Sequence, residues 1–164
     1  TTSCNFDSGL CSGWWQSYSD VFDWTLRSGS TPSSNTGPDN DHTSGYGYYM
    51  YIEATGQNNG DNAKLMLNLN GGGELSCLKF YYHMYGATIG ALNVYSENYL
   101  LFKAAGNHGN YWFKAERTFY SKTTLTFEGI VGYSFTGDIA IDDVSITRGS
   151  CSGQTPPPTW YPVP

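Results

Sequence analysis

Carboxylates carry most of the chemistry this chain can offer. In the stretch GDIAIDDVSI, Gly137 to Ile146, apolar and polar residues alternate as in a half-buried strand, and two aspartates then stand side by side. Neighbouring side chains of a strand point to opposite faces, which puts Ile139 and Ile141 with Asp143, and Ala140, Val144 and Ile146 with Asp142. Whichever face meets the core, one carboxylate points into apolar company. An unpaired buried carboxylate is strongly unfavourable, and only 8 Lys and Arg residues are present to pair with it. A cation, Arg27 or Arg148, or a run of backbone amides would satisfy it; a β-bulge that turns both aspartates outward would remove the problem. The loop GPDNDHTSG, Gly37 to Gly45, adds Asp39 and Asp41 beside the Thr43 and Ser44 hydroxyls, the hard oxygens that calcium prefers. It lacks the glycine and glutamate of an EF-hand loop, so by spacing alone it reads as a solvated turn with Asx caps.

Other reactive constellations are thin. The sequence contains no G-x-S-x-G, no H-E-x-x-H, no phosphate loop and no strand-linked G-x-G-x-x-G. Asp142 and Asp143, as neighbours on one strand, diverge where glycoside hydrolysis needs facing carboxylates. His42 and His83 could each act as a base, but a structural histidine is the stronger reading, and the chain reads as no enzyme. Cys4, Cys11, Cys77 and Cys151 follow no metal-binding spacing, and His42, His83 and His108 lie far apart in sequence, which disfavours zinc. An even cysteine count with many Tyr, Ser, Thr, Gly and Asn residues points instead to disulfides in an oxidising, extracellular setting. Four cysteines allow about three pairings. Cys4 with Cys11 and Cys77 with Cys151 is favoured: the first pins a short N-terminal loop and the second ties mid-chain to the end. Loop entropy makes these worth about 2.5 and about 4.5 kcal/mol.

The elements that must position these groups are strands. Alternating segments such as VFDWTL, YYMYIEA, AKLMLNL, LSCLKFYYHM, ALNVYS, YLLF, YWFKAERTF and TLTFEGIVG recur between Gly, Asn, Ser and Pro clusters, with GQNNGDN and NGGG as turns. Many short strands without an amphipathic helix predict an antiparallel sandwich. At 164 residues, 39% hydrophobic, the chain suits one domain. Its net charge of −6 repels nucleic acid and anionic membrane surfaces. No apolar run approaches the roughly 20 residues of a membrane helix, no signal segment is visible, and the start at Thr1 suggests a processed or excised fragment. There is no N-x-S/T sequon. The polar stretch from Ser28 to Gly47 shows no alternation, and a connection of that length is a prime place for a site. Residues 154–164, QTPPPTWYPVP, hold five of the 7 prolines and read as a linker or arm. Trp160 and Tyr161 on such an arm suit docking against a neighbouring copy.

Five blocks taken in order resemble the MAM domain, a module of meprins, neuropilins and receptor-type tyrosine phosphatases. They are CNFDSGLCSGWWQ from Cys4, DVFDWTLRSG from Asp20, GPDNDHTSGYGYYMYIEA from Gly37, LKFYYHMYGATIGALNVY from Leu78 and GDIAIDDVSITRGSC from Gly137. The resemblance implies an all-β domain over residues 1–153: a jelly-roll β-sandwich of two antiparallel sheets, similar to galactose-binding domains. It implies the same disulfide pairing, and a structural Ca2+ among Asp7, Asp41 and Asp142, with Asp39 and Asp143 as second choices. Family members often carry glutamate where this chain has the shorter Asp7. On this expectation Asp142 faces the cation and Asp143 takes hydrogen bonds from backbone or arginine. The function implied is an extracellular, non-catalytic adhesion or oligomerisation module making protein–protein contacts; the Pro-rich tail with Trp160 and Tyr161, and the 14 tyrosines, add the expectation of homotypic assembly into a multimer or fibre. Carbohydrate binding is the alternative, with Tyr46, Tyr48, Tyr111 and Trp112 as stacking platforms, although Trp112 suits core packing better.

Overall fold

A computed structural model describes residues 2–154; the expected contact residues Trp160 and Tyr161 lie outside the described residues. Eleven strands follow one another: β1 (Thr2–Cys4), β2 (Trp14–Gln16), β3 (Thr25–Ser28), β4 (Tyr48–Ile52), β5 (Asn62–Asn68), β6 (Glu74–Met84), β7 (Ile89–Ser96), β8 (Tyr99–Ala105), β9 (Trp112–Ser121), β10 (Thr124–Val131) and β11 (Ile139–Arg148). Among the described residues there is no helix. One sheet runs β3-β4-β11-β6-β9 with β1 also on β11, and the other runs β2-β5-β10-β7-β8. Every ladder between them is antiparallel, and the two sheets close as a jelly-roll sandwich. The alternation explains the packing: Leu65 and Leu67 of β5 and Leu125 and Phe127 of β10 point inward, where Phe6, Phe80 and Phe119 join them, all buried. VFDWTL departs from the expected strand. Its Trp24 is buried, but β3 begins only at Thr25 and Leu26 is exposed, while Phe22 makes an isolated parallel bridge to Ala63.

β11 is the pivot. β6 pairs along its whole length, so β4, beside Ile139 to Ile141, and β1, beside Val144 to Ile146, share its other edge end to end. Against β6 the register slips between Asp142 and Ser145, a bulge in which Asp143 takes φ 50°. The extra residue resets the phase. Ile139 and Ile141 face the core before the bulge, Val144 and Ile146 face it after, and neither aspartate does. The strict alternation read from the sequence therefore fails at one residue. Ala140 and Asp142 lie on the outer face, yet both are buried, because the connection between β3 and β4 folds across that face. Tyr49, Tyr51 and Ala140, with Trp112 against them, make a small second cluster beneath it.

Candidate functional site

The site grows from the gap between β1 and β4. Cys4 is bonded to Cys11, as Cys77 is to Cys151. Inside the short first loop Phe6 takes φ 61° and packs edge-on against Trp14, ring centroids 5.2 Å apart. The next side chain turns outward, and Asp7 Oδ1 accepts the Tyr48 amide at 2.9 Å. Asp41 approaches from the long connection as an Asx cap: Oδ1 accepts the Gly45 amide at 2.6 Å, and Oδ2 accepts the Ser44 amide and hydroxyl at 3.3 and 3.1 Å. Burial pushes the Asp41 carboxyl up, but these donors and the Gly47 amide outweigh it and hold it below its ordinary value. Gly47 sits between the two carboxylates. A Cβ there would lie 2.3 Å from Asp7 Oδ1 and 2.6 Å from Asp41 Oδ2, so only a hydrogen fits.

Asp142 stands close enough for the Asp41 charge to act on it. It is 1% exposed; Oδ2 accepts the His42 amide at 3.0 Å and Oδ1 the Asp143 amide at 2.8 Å. Burial pushes its carboxyl up to about 7, the two amides opposing and the Asp143 and Asp41 charges reinforcing the rise. Where backbone or arginine donors were expected, Asp143 meets side chains of the long connection among the described residues. Its left-handed backbone carries the side chain to His42 Nδ1 at 2.6 Å and to the Thr43 hydroxyl. His42 stacks on Tyr81 of β6, centroids 3.5 Å apart, so with its Asp143 contact it clamps the connection onto β6 and β11. Asp39 is exposed and accepts from Asn110 Nδ2 at 3.3 Å. The donors around Gly47 are all oxygens, which fits a hard cation such as calcium in kind. Among the described residues, however, no group of three or more His, Cys, Asp or Glu side chains stands ready to hold a metal ion.

A second acid site lies four residues earlier, just before β11 begins. Asp138 is 0% exposed; its Oδ1 accepts the Ala54 amide at 2.9 Å and its amide donates to Thr36 Oγ1 at 2.9 Å. Its other oxygen, Oδ2, and Glu53 Oε2 are buried without a hydrogen-bond partner. The two carboxyls are within hydrogen-bonding reach of each other, and burial together with Glu53 pushes Asp138 up to about 8. The remaining neighbours are hydroxyls: Ser33 Oγ donates to Glu53 Oε1 at 2.9 Å, and Thr36 Oγ1 donates to the Tyr85 carbonyl at 2.8 Å. A proton shared between Glu53 and Asp138 would satisfy both orphan oxygens. Sequence reasoning missed this pair and Gly47. The available signal was the even spacing of Asp138 and Asp142, which puts both on one face of an extended segment in a chain with few cations.

The expected bases and stacking platforms separate by burial. His83 is buried, donates from Nε2 to Asn110 Oδ1 at 2.8 Å, and is held neutral down to about 4, chiefly by burial. Trp112 is half-buried against Tyr49 and His83 and gives its indole N–H to the Asn40 carbonyl at 3.2 Å. Tyr46, Tyr48 and Tyr111 are exposed.

The family model "MAM domain, meprin/A5/mu" matches residues 4–152. Among curated proteins, the chain is 40% identical over 164 residues to Thyroid hormone-induced protein B of Xenopus laevis, covering 94% of this chain and 24% of that protein. It is 40% identical over 176 residues to the MAM domain-containing glycosylphosphatidylinositol anchor protein 2 of Homo sapiens, covering 92% of this chain and 18% of that protein. The chain thus spans less than a quarter of the length of either relative. Two solved structures share the fold. The K1 cleaved adhesin domain of Lys-gingipain from Porphyromonas gingivalis W83 superimposes with TM-score 0.67 at 15% identity, over 91% of this chain and 98% of that one. A carbohydrate-binding module in complex with β-1,4-galactotriose does so with TM-score 0.51 at 20% identity, over 88% and 94%.

Proposed function

Because the chain belongs to the MAM domain family, we propose that it is an extracellular, non-catalytic adhesion module that makes protein–protein contacts and assembles with further copies of itself. Family membership over nearly the whole described length carries this reading. Two disulfides suit an oxidising compartment. Tyr18, Tyr46, Tyr111 and Tyr133 are exposed, and tyrosine supplies contact area at low entropic cost. Trp160 and Tyr161 of the Pro-rich segment would add the same chemistry. Sedimentation velocity of the 164-residue chain, beside one ending at Gly153, tests it. Concentration-dependent assembly that vanishes with the arm is the expected result; a monomer at every concentration overturns self-assembly.

The cation belongs to the same proposal. Asp7, Asp41 and Asp142 would hold Ca2+ at Gly47 and so fasten the long connection to β1 and β11. Asp142→Asn should then lower the melting temperature in calcium and leave it unchanged in chelator. Equal losses in both conditions would refute the site.

Carbohydrate binding is the second reading. It is favoured by the likeness in fold to a module that binds β-1,4-galactotriose and by the exposed aromatic side chains. An array of oligosaccharides that retains nothing would end it.

A further inference from the structure

The strands that end the two sheets differ in how much backbone they carry at the edge. β2 and β3 have 3 and 4 residues, and β8, with 7, is interrupted by a register shift opposite Val94 and Tyr95. β9 has 10 residues and pairs with β6 without a shift from Trp112 to Ser121. Short or bulged edges resist the addition of another strand, whereas a long regular edge invites it unless something covers it.

The chain that leaves β11 is led to this edge. The Gly149 amide donates to the Leu75 carbonyl of β6 at 2.8 Å, and Cys151 is bonded to Cys77 of the same strand. The Cys151 amide then donates to Thr118 Oγ1 of β9 at 2.9 Å, and Thr118 is buried beneath the crossing. A turn, closed by the Gln154 amide on the Cys151 carbonyl at 3.2 Å, brings Gln154 to the far side of β9. There its side chain takes two backbone groups that point away from β6: Oε1 accepts the Thr118 amide at 2.9 Å, and Nε2 donates to the Glu116 carbonyl. One carboxamide thus stands where a residue of a neighbouring strand would stand.

We propose that residues 155–164 of the same chain continue from Gln154 along the outer edge of β9 and close it. The segment begins on the edge, because Thr155 follows a residue already bonded there. Its composition suits the place. Thr155, Tyr161 and Val163 each precede a proline, which drives them to extended backbone. Proline lacks an N–H, and within sheets it is confined mainly to edges, where it stops further strands from adding. At about 3.1 Å per residue the segment reaches about 30 Å, close to the length of β9 at about 3.3 Å per residue. The inference goes beyond the self-assembly reading and gives it a route: an arm seated on its own β9 links two copies when they exchange arms.

The test is chymotryptic cleavage of the Trp160–Tyr161 bond, followed by mass spectrometry. It compares the intact 164-residue chain, its Gln154→Ala variant and a free peptide of residues 154–164. Cleavage of the intact chain should be at least about tenfold slower than that of the peptide at every protein concentration, and Gln154→Ala should restore most of the peptide's rate. Hydrogen exchange at the Leu65 and Phe127 amides, unchanged in the variant, shows that the sandwich is intact. An intact chain cut as fast as the peptide overturns the inference, and so does protection that survives Gln154→Ala. Protection that appears only as concentration rises puts the segment on a second copy and overturns seating in its own chain. Protection at every concentration in a chain that stays monomeric keeps this inference and overturns self-assembly.

Discussion

Two buried aspartates lie under the same connection, Asp142 in β11 and Asp138 four residues before it, just ahead of the strand, and different partners meet their carboxylates. Asp7 and Asp41 flank Gly47, and they and Asp142 collect backbone amides: Tyr48 to Asp7, Ser44 and Gly45 to Asp41, His42 and Asp143 to Asp142. At Asp138 one amide is available, from Ala54, and the other oxygen faces Glu53. Fixed N–H dipoles favour the charged form of a carboxylate, while a second carboxyl favours the protonated form. Asp41 is thus held below its ordinary value, whereas burial outweighs the donors at Asp142 and Asp138 and raises them to about 7 and about 8. What separates them is the chain laid over them. Residues 41–45 present amides in a tight turn, whereas Thr31, Ser33 and Thr36 present hydroxyls that are already committed.

The largest expected effect is on pH dependence in chelator. Folded Asp138 and Asp142 hold protons to higher pH than unfolded aspartate, so their contribution to stability is full below about pH 4 and is lost as pH rises toward about 7 for Asp142 and about 8 for Asp138. At about 1.4 kcal/mol per pKa unit, several kcal/mol should disappear over that range, seen as a falling melting temperature. Calcium should abolish the Asp142 portion and leave the Asp138 portion, which separates the two sites; a slope unchanged by calcium would erase the contrast. Next in size, Gly47→Ala forces a methyl group between Asp7 and Asp41. It should cost about 1–3 kcal/mol by overpacking and lower the melting temperature by roughly 3–10 °C, with the pH step of the Asp138 pair intact. The smallest effect is that of Glu53→Gln. Removing the facing carboxyl should lower the Asp138 pKa and raise stability at pH 8 by about 1 kcal/mol, measured by denaturant titration beside the parent chain. No gain at pH 8 would show that Glu53 is not what holds the Asp138 proton.

Much of this architecture is written in local pattern. The alternation in AKLMLNL and TLTFEGIV became β5 and β10, paired in register from Thr124 opposite Asn68 to Ile130 opposite Asn62. The GQNNGDN and NGGG turns fell between strands. The reading of β11 went astray at a single residue. Whether a strand bulges depends on the partner it pairs with, and nothing in GDIAIDDVSI announces that β6 will be one residue short opposite Asp143. Gly47 was likewise invisible, since its importance lies in two carboxylates that approach from residues 7 and 41.

The sequence by itself therefore determined the strands, the two cysteine pairs, the family and the neighbourhood of the acidic loop, because hydrophobic period, turn chemistry and motif order are properties of adjacent residues. Only the tertiary structure decided which carboxylates are buried and what each one faces. His42 reaches Asp142 across 100 residues of chain, and Asp138 meets the Ala54 amide across 84. The protonation of an acid follows from the dielectric and the donors around it, and in this molecule both are supplied by segments remote in sequence.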